Sequence, residues 1–452
     1  MQGMDWPLTR VARSGLKSLL LGAGLIGALS IGMGTAAAQS TPAPAPAAAP
    51  TLKLGIVTFL SGPAAGPFGI PARNAAELVI EAINKGALPA PYNTKGFGGA
   101  EAQEVIVDEA GSTTEVVQNF RNLVQRQNVN AVVGYISSGS CLAVAPVAEE
   151  LKMLTVFFDC GTPRIFEDAK YNYVFRTSAT ATMDNVAAAR YLKAKFPKSK
   201  SYAGINQNYA WGQDSWRDFD GSMKVLFPSD KDMVSEFPKL FAGQYDAEIS
   251  TLLVDRPDIV HSSLWGGDLE SFMLQASARG LEKKSRLVLT TGETTMFRLR
   301  GKIPNGVILG ARGPYGVLAH KDALNDWFRK SFQDRYNTPP VYSAYQIAQA
   351  ILGLKIAYDK AATGKGLPTT DAVRAALTGL KYDSFGGYVD MALGDGHQAV
   401  TETAYGEFKF DKKTDTPEIT NVVYYPEWCV NPPPGVKSAD WIKGGMKGAK
   451  CS

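Results

Sequence analysis

The sequence predicts an α/β protein made of two doubly wound lobes with parallel central sheets, and three observations carry that prediction. Short apolar runs alternate with stretches of helical period from Leu52 onward, which is the rhythm of βαβ units. The rhythm restarts after "YVFRTSAT", so two units of similar size follow one another. Serines, aromatic residues and a carboxylate gather just past the apolar runs, where ligands of open α/β sheets bind.

Taken in order, "LKLGIVTFL" is a strand and "ARNAAELVIEAINKG" a helix closed by Gly86. "EVIVDEA" is a strand, "TEVVQNFRNLVQRQ" a helix and "NAVVGYI" a strand. "SSGSCLAVAPVAEELK" gives a helix to Lys152, and "LTVFFD" the next strand. In the second unit "NVAAARYLKAKF" is helical, "SYAGINQN" a strand and "GQDSWRDFDGSMKVLF" a helix. "DMVSEFPKL" reads as a strand weakened by Pro238, which has no N–H for a ladder. "ISTLLVDR" is helical, "DIVHSSLW" a strand, "DLESFMLQASARGL" an amphipathic helix and "RLVLTTG" a strand, followed by "GVILGARGP". Helices at "KDALNDWFRKSFQDRY" and "VYSAYQIAQAILGLKIAYDKAA" precede a hairpin-like end, "GGYVDMALGDGHQAVTETAYGEFKFD" with "EITNVVYYPE".

The 452 residues, 45% hydrophobic and 20% charged, describe a globular chain rather than a disordered one. Arg10, Arg13 and Lys17 precede "SLLLGAGLIGALSIGMG" and the small-residue exit "TAAAQ", the layout of a secretory signal peptide over residues 1–38. No cysteine stands at the cleavage site, so the mature protein is expected to be exported, soluble and periplasmic. "GAGLIG" matches a dinucleotide-binding pattern by chance, since that pattern needs a strand before it and a helix after it and this run lies in the hydrophobic region of the export signal. Residues 39–50 include the linker "STPAPAPAAAP". Losing Arg10, Arg13, Lys17 and Asp5 with the signal lowers the net charge of +4 to about +2, without a basic run, which excludes a typical nucleic-acid binder.

Cys141, Cys160, Cys429 and Cys451 form an even set in an exported chain, which favours disulfides. Of three connectivities we favour Cys141–Cys160, flanking neighbouring strand–helix junctions, and Cys429–Cys451, in one tail. Reduced, buried thiols are the alternative.

No GxSxG, HExxH, CxxC or Walker pattern is present, and His261, His320 and His397 are scattered. An enzyme, a metal site and a cofactor are therefore not expected. The strand ends point to binding instead. Ser137, Ser138 and Ser140 sit at a strand–helix junction, where N–H groups are unpaired, and Ser138 is the inward hydroxyl. Thr162 before Pro163 in "FFDCGTPRIF" has the form of a helix cap and offers a hydroxyl and an N–H beside that cluster. Each also has an ordinary reading as a cap alone. Trp211 and Trp265 follow two strands as candidate aromatic walls or core, and Glu293 follows a third. A lone cleft carboxylate is costly unless paired, and an ammonium group is its natural partner.

Together "LSGP", "VVGYISSGS", "DCGTPRIF", "YVFRTSAT", "DIVHSSLWGGDLESFMLQASARGL" and "TTGET" resemble the leucine/isoleucine/valine-binding family, over about Leu52 to Pro426. These are type I periplasmic binding proteins, receptors of ABC importers. The resemblance implies two lobes joined by three hinge crossings, near Arg176–Thr177, Gly310–Gly313 and Asp383–Gly386. It implies an N-terminal lobe of residues 51–176 and 314–382, a C-terminal lobe of 177–313 and 383–428, and a tail, 429–452, without counterpart. It also implies a carboxylate site at Ser138, the Cys160 backbone and Thr162, an ammonium site at Glu293, and walls at Phe68, Trp211 and Trp265. Two departures stand out: "DEAGSTTE" lacks the cysteine of well-known members, and tryptophan replaces tyrosine in the walls. The expectation is a monomeric receptor that closes on an apolar or branched-chain amino acid and delivers it to an ABC permease. An aromatic or other carboxylate or an amide is the alternative ligand, and an exported enzyme a distant one.

Overall fold

The computed structural model describes residues 51–451; the expected export signal and linker lie outside the described residues. The first half of the chain builds β1 (Thr51–Thr58), α1 (Ile70–Lys85), β2 (Glu101–Asp108), α2 (Thr113–Gln125), β3 (Ala131–Gly134), α3 (Ser138–Glu150), β4 (Thr155–Phe157), the single turn α4 (Arg164–Glu167) and β5 (Val174–Arg176). After it come α5 (Ala181–Lys195), β6 (Ser201–Ile205), α6 (Ala210–Leu226), β7 (Lys231–Glu236), α7 (Asp246–Asp255), β8 (Ile259–Ser262), α8 (Gly267–Ala278), β9 (Arg286–Leu289), α9 (Met296–Leu299) and β10 (Ile308–Gly310). The remainder supplies α10 (Ala323–Tyr336), α11 (Tyr342–Ala361), α12 (Thr370–Leu377), β11 (Lys381–Ser384), β12 (Gly387–Leu393), β13 (Gln398–Thr401), β14 (Thr403–Asp411), β15 (Thr416–Tyr425), α13 (Glu427–Val430) and α14 (Ser438–Lys443).

Local chemistry accounts for several boundaries. A reciprocal capping box between Ser112 and Glu115 starts α2. Gly86 ends α1 at φ 66, a left-handed position that suits glycine. Strand β7 stops two residues before Pro238, as a residue without an N–H requires.

The strands form two sheets, ordered β11-β12-β13-β5-β4-β3-β1-β2 and β15-β14-β10-β9-β8-β6-β7. Within each, five strands are parallel in the order 2-1-3-4-5, so the two lobes share one winding and each has its reversal point, at β1/β3 and β6/β8. Ligands of such sheets sit at the carboxyl ends beside that point. The additions differ from an all-parallel expectation: β11 and β12 pair antiparallel, and so do β10, β14 and β15.

The chain passes between the sheets after β5, after β10 and between β13 and β14. The third passage lies at Glu402, not at Asp383–Gly386. The β11–β12 hairpin extends the first sheet, because β13 pairs parallel with β5 at Gln398 and Arg176. Residues 383–401 therefore belong with the first lobe. The tail packs on the second: Cys429, Val430, Trp441, Ile442 and Met446 share a core with Tyr191, Phe219 and Met223. Disulfides join Cys141 to Cys160 and Cys429 to Cys451. Among the described residues, no helix is long and apolar enough to cross a membrane.

Candidate functional site

The junction of β3 with α3 is already supplied with a carboxyl group. The backbone N–H groups of Ile136 and Ser137 donate to the carboxylate of Glu109, at 2.7 and 2.8 Å. Glu109 follows β2 and is buried; burial pushes it up to about 8, against the pull of these two N–H groups. Ser138, the first residue of α3, accepts 3.2 Å hydrogen bonds from the N–H groups of both Gly161 and Thr162. The amides expected to hold a ligand carboxylate are thus turned onto Ser138 Oγ. No bond donated by that hydroxyl is formed among the described residues, so its proton is available.

Thr162 faces elsewhere. Its hydroxyl donates to Asp214 Oδ2 at 2.6 Å and accepts from Arg164 N–H. Arg164 pairs with the same carboxylate at 2.8 Å. Because Asp214 stands on α6, this cluster ties the first lobe to the second, and Thr162 does not line the cavity. Cys160 is buried in its disulfide, and its carbonyl accepts from Arg176 Nη1 at 2.7 Å.

Between the lobes lies a small, nearly closed cavity of about 10 Å³, the space of about one water molecule. The first lobe lines it with Phe68, Ile136, Ser138, Asp159, Gly161 and Tyr342. The second lines it with Tyr209, Trp211, Trp265 and Thr291, and Arg312 enters from the second crossing. Phe68 meets Trp265 and Tyr342 edge-on, with ring centroids 5.4 and 5.3 Å apart, a favoured aromatic geometry. Trp211 Nε1 donates to Ser263 O and Trp265 Nε1 to Tyr209 Oη, each at 2.8 Å.

The charged groups of the cavity are Asp159 and Arg312. The guanidinium of Arg312 binds the Asp159 carboxylate, the Asp159 carbonyl at 2.5 Å and Asp184 at 3.0 Å, and lies 4.5 Å from the centre of the Trp211 ring. Asp159 Oδ2 has no partner. Burial pushes Asp159 up to about 7, with Arg312 opposing and Asp184 adding to the rise. Burial pulls the other way on Arg312, but its two carboxylates together keep it charged.

Glu293 is fully buried but does not line this cavity; Thr291, two residues earlier, does. Its Oε2 accepts from Tyr342 N–H at 2.9 Å, so it caps α11 from behind the Tyr342 wall. Its Oε1 lies where a Cβ on Gly316 would be 1.8 Å away, which only glycine permits. Burial pushes Glu293 up to about 8. The structure therefore brings Ser138, Phe68, Trp211 and Trp265 together, and leaves Cys160, Thr162 and Glu293 outside the cavity wall. Sequence reasoning passed over Asp159, Arg312, Tyr209 and Tyr342, although Asp159 begins the "DCGTPRIF" segment. His261 is a core residue, stacked on Phe219 at 4.1 Å. No cluster of three potential metal ligands occurs among the described residues.

A larger cavity, about 620 Å³, opens at the amino ends of β8 and β9, the opposite end of these strands from the cleft. The strand-end rule favours the smaller one.

A family model described as periplasmic binding protein matches residues 51–414. No curated protein sequence matches the chain. Solved structures match at low identity. A solute binding protein of an ABC transporter from Rhodopseudomonas palustris, in complex with 3,4-dihydroxybenzoic acid, has a TM-score of 0.70 at 20% identity, over 83% of this chain and 95% of that one. A leucine binding protein from Thermotoga maritima has a TM-score of 0.67 at 17% identity, over 82% and 98%. An amino acid ABC transporter substrate-binding protein from Pseudomonas fluorescens has a TM-score of 0.68 at 19% identity, over 83% and 96%.

Proposed function

The chain belongs to the periplasmic binding protein family, and on that premise we propose that it is the periplasmic solute receptor of an ABC importer, binding an apolar amino acid between its lobes. The observation that carries the reading is one small cavity, walled from both lobes, that holds an unpartnered carboxylate oxygen and a guanidinium among aromatic rings. A zwitterion matches this pair of charges. Asp159 Oδ2 is the acceptor for the ammonium group, in the role expected of Glu293, while Ser138 Oγ–H and Arg312 face the carboxylate. The rings of Phe68, Tyr209, Trp211, Trp265 and Tyr342 enclose the apolar portion.

The magnitudes are adequate. Each charge-assisted hydrogen bond contributes roughly 1.5–3 kcal/mol, so a few of them with apolar burial reach the ~8 kcal/mol of micromolar binding. Contacts from both lobes stabilise the shut form, and hinge motion at the three crossings admits the solute. No reaction step is needed.

An aromatic carboxylate is the second reading. The ring-lined walls favour it, and it is the kind of ligand bound by one of the structural neighbours. The pH dependence separates the two. An ammonium ligand needs Asp159 ionised, so its affinity is full above about pH 7 and falls as the pH drops through the raised Asp159 value. A plain carboxylate needs Asp159 protonated, so its affinity rises over the same interval. Calorimetric titration with leucine, phenylalanine, benzoate and 4-hydroxybenzoate at about pH 6 and pH 8 reads the sign. Tighter binding of benzoates at the lower pH, with no amino acid bound, would replace the first reading by the second.

A further inference from the structure

Behind the cleft a separate cavity, about 420 Å³, forms where the hinge, the first lobe and the tail meet. The tail spans both lobes. It is rooted in the second by Trp441, Ile442 and the Cys429–Cys451 bridge. It reaches the first at α4, where the N–H and hydroxyl of Ser438 donate to Glu167 at 3.0 and 2.5 Å and Lys437 lies 2.8 Å from Asp168. The segment 432–438 thus forms one wall of the cavity as a strap across the hinge.

Arg176 lines this cavity and is fully buried. Its Nε donates to Gln398 Oε1 at 2.5 Å, and its Nη1 to the carbonyls of Cys160 and Thr162 at 2.7 and 2.6 Å. Every one of these acceptors is neutral, and Nη2 has no partner. Arg312, the other buried guanidinium nearby, has two carboxylates of its own. The carboxylates of the cavity wall make their hydrogen bonds elsewhere, Glu167 with the neutral Ser438 and Asp395 with Lys170 at 2.9 Å, and neither touches Arg176. A buried charge without a carboxylate in contact is costly, and burial with the like charge of Arg312 pulls Arg176 down to about 9, against the more distant attraction of Glu167, Asp184 and Asp214. Thr180, the N-cap of the 15-residue α5, lines the same cavity and adds the positive end of a helix dipole.

We propose that the strap cavity is a second ligand site, which takes a small oxyanion or carboxylate on Arg176 Nη2. The same guanidinium grips the carbonyls on either side of Gly161, a residue of the cleft cavity. An anion held there therefore bears on the loop that carries Asp159, and the two sites are mechanically joined.

The test titrates sodium sulfate, sodium phosphate and sodium acetate into the full chain at ionic strength fixed with sodium chloride, following the melting temperature. At least one anion is expected to raise it saturably beyond the chloride control. Arg176→Gln should abolish that rise. Lys437→Glu, at an exposed position on the strap, should weaken the midpoint about tenfold by placing a negative charge at the rim. If Arg176→Gln does not fold, Lys437→Glu alone decides. No saturable rise with any of the three anions, or a rise unchanged by the substitutions that fold, overturns the proposal.

Discussion

Both lobes line the cleft with rings, Phe68 and Tyr342 from the first and Tyr209, Trp211 and Trp265 from the second, but Ser138 and the carboxylate of Asp159 come from the first alone. Both lobes wind in the same strand order, and both present their carboxyl strand ends. The difference lies in the residues just past each strand. In the second lobe both indole N–H groups are spent on the protein itself, on Ser263 O and Tyr209 Oη, so the tryptophans show the cavity an apolar surface. In the first lobe Ser138 keeps its proton and Asp159 keeps one oxygen. Equal scaffolds thus divide the free polar groups unequally, although both lobes supply rings. On the reading proposed above, the ammonium group meets the first lobe and the second lobe covers the apolar part.

The largest expected effect comes from the polar side. Asp159→Asn should weaken glycine, leucine and phenylalanine alike, by ten- to a hundredfold or about 1.5–3 kcal/mol, in calorimetric titration at pH 8. Arg312 keeps Asp184 as its partner in that variant. Unchanged amino-acid affinity would break the division between the lobes. A smaller effect is expected from the apolar side. Trp265→Phe trims the wall that faces Phe68 and should cost leucine or phenylalanine roughly three- to tenfold while leaving glycine as it was. A loss shared by glycine would mean that the second lobe also reads the headgroup.

The smallest effect on binding is expected at Glu293, behind the wall. Glu293→Gln keeps an acceptor for Tyr342 N–H and should leave ligand affinity within about twofold. Its signature is in stability. A carboxyl raised to about 8 by burial contributes fully below its unfolded value, and that contribution is lost as the pH rises through about 8. The melting temperature of the variant relative to the parent should therefore climb between about pH 5 and pH 8. A collapse of amino-acid binding in this variant would return the ammonium role to Glu293.

Strand ends were legible because period and position suffice to find them, and Ser138, Trp211 and Trp265 were reached that way, whereas Phe68 came from the family resemblance. Glu293 was misread by two residues. Whether Thr291 or Glu293 faces the cleft depends on how the backbone turns after β9, and a run such as "TTGETT" does not encode that direction. Asp159 went unnoticed for a different reason. Its partner Arg312 lies 153 positions away, beyond the reach of any local pattern. The third crossing was misplaced because a hairpin declares its own pairing but not the sheet it joins, and β11–β12 extends the first. The strap was invisible for the same reason: Ser438 meets Glu167 only once both lobes are in place.

One disulfide joins α3 to the residue between Asp159 and Gly161, while the other roots the strap. Material produced in a reducing cytosol would lack both staples, and incomplete reoxidation would leave a mixture in which some molecules hold a loose cavity floor and others a loose strap. Apparent stoichiometry below one in such a preparation would then be measuring thiol status rather than solute preference, and a thiol count belongs beside every titration.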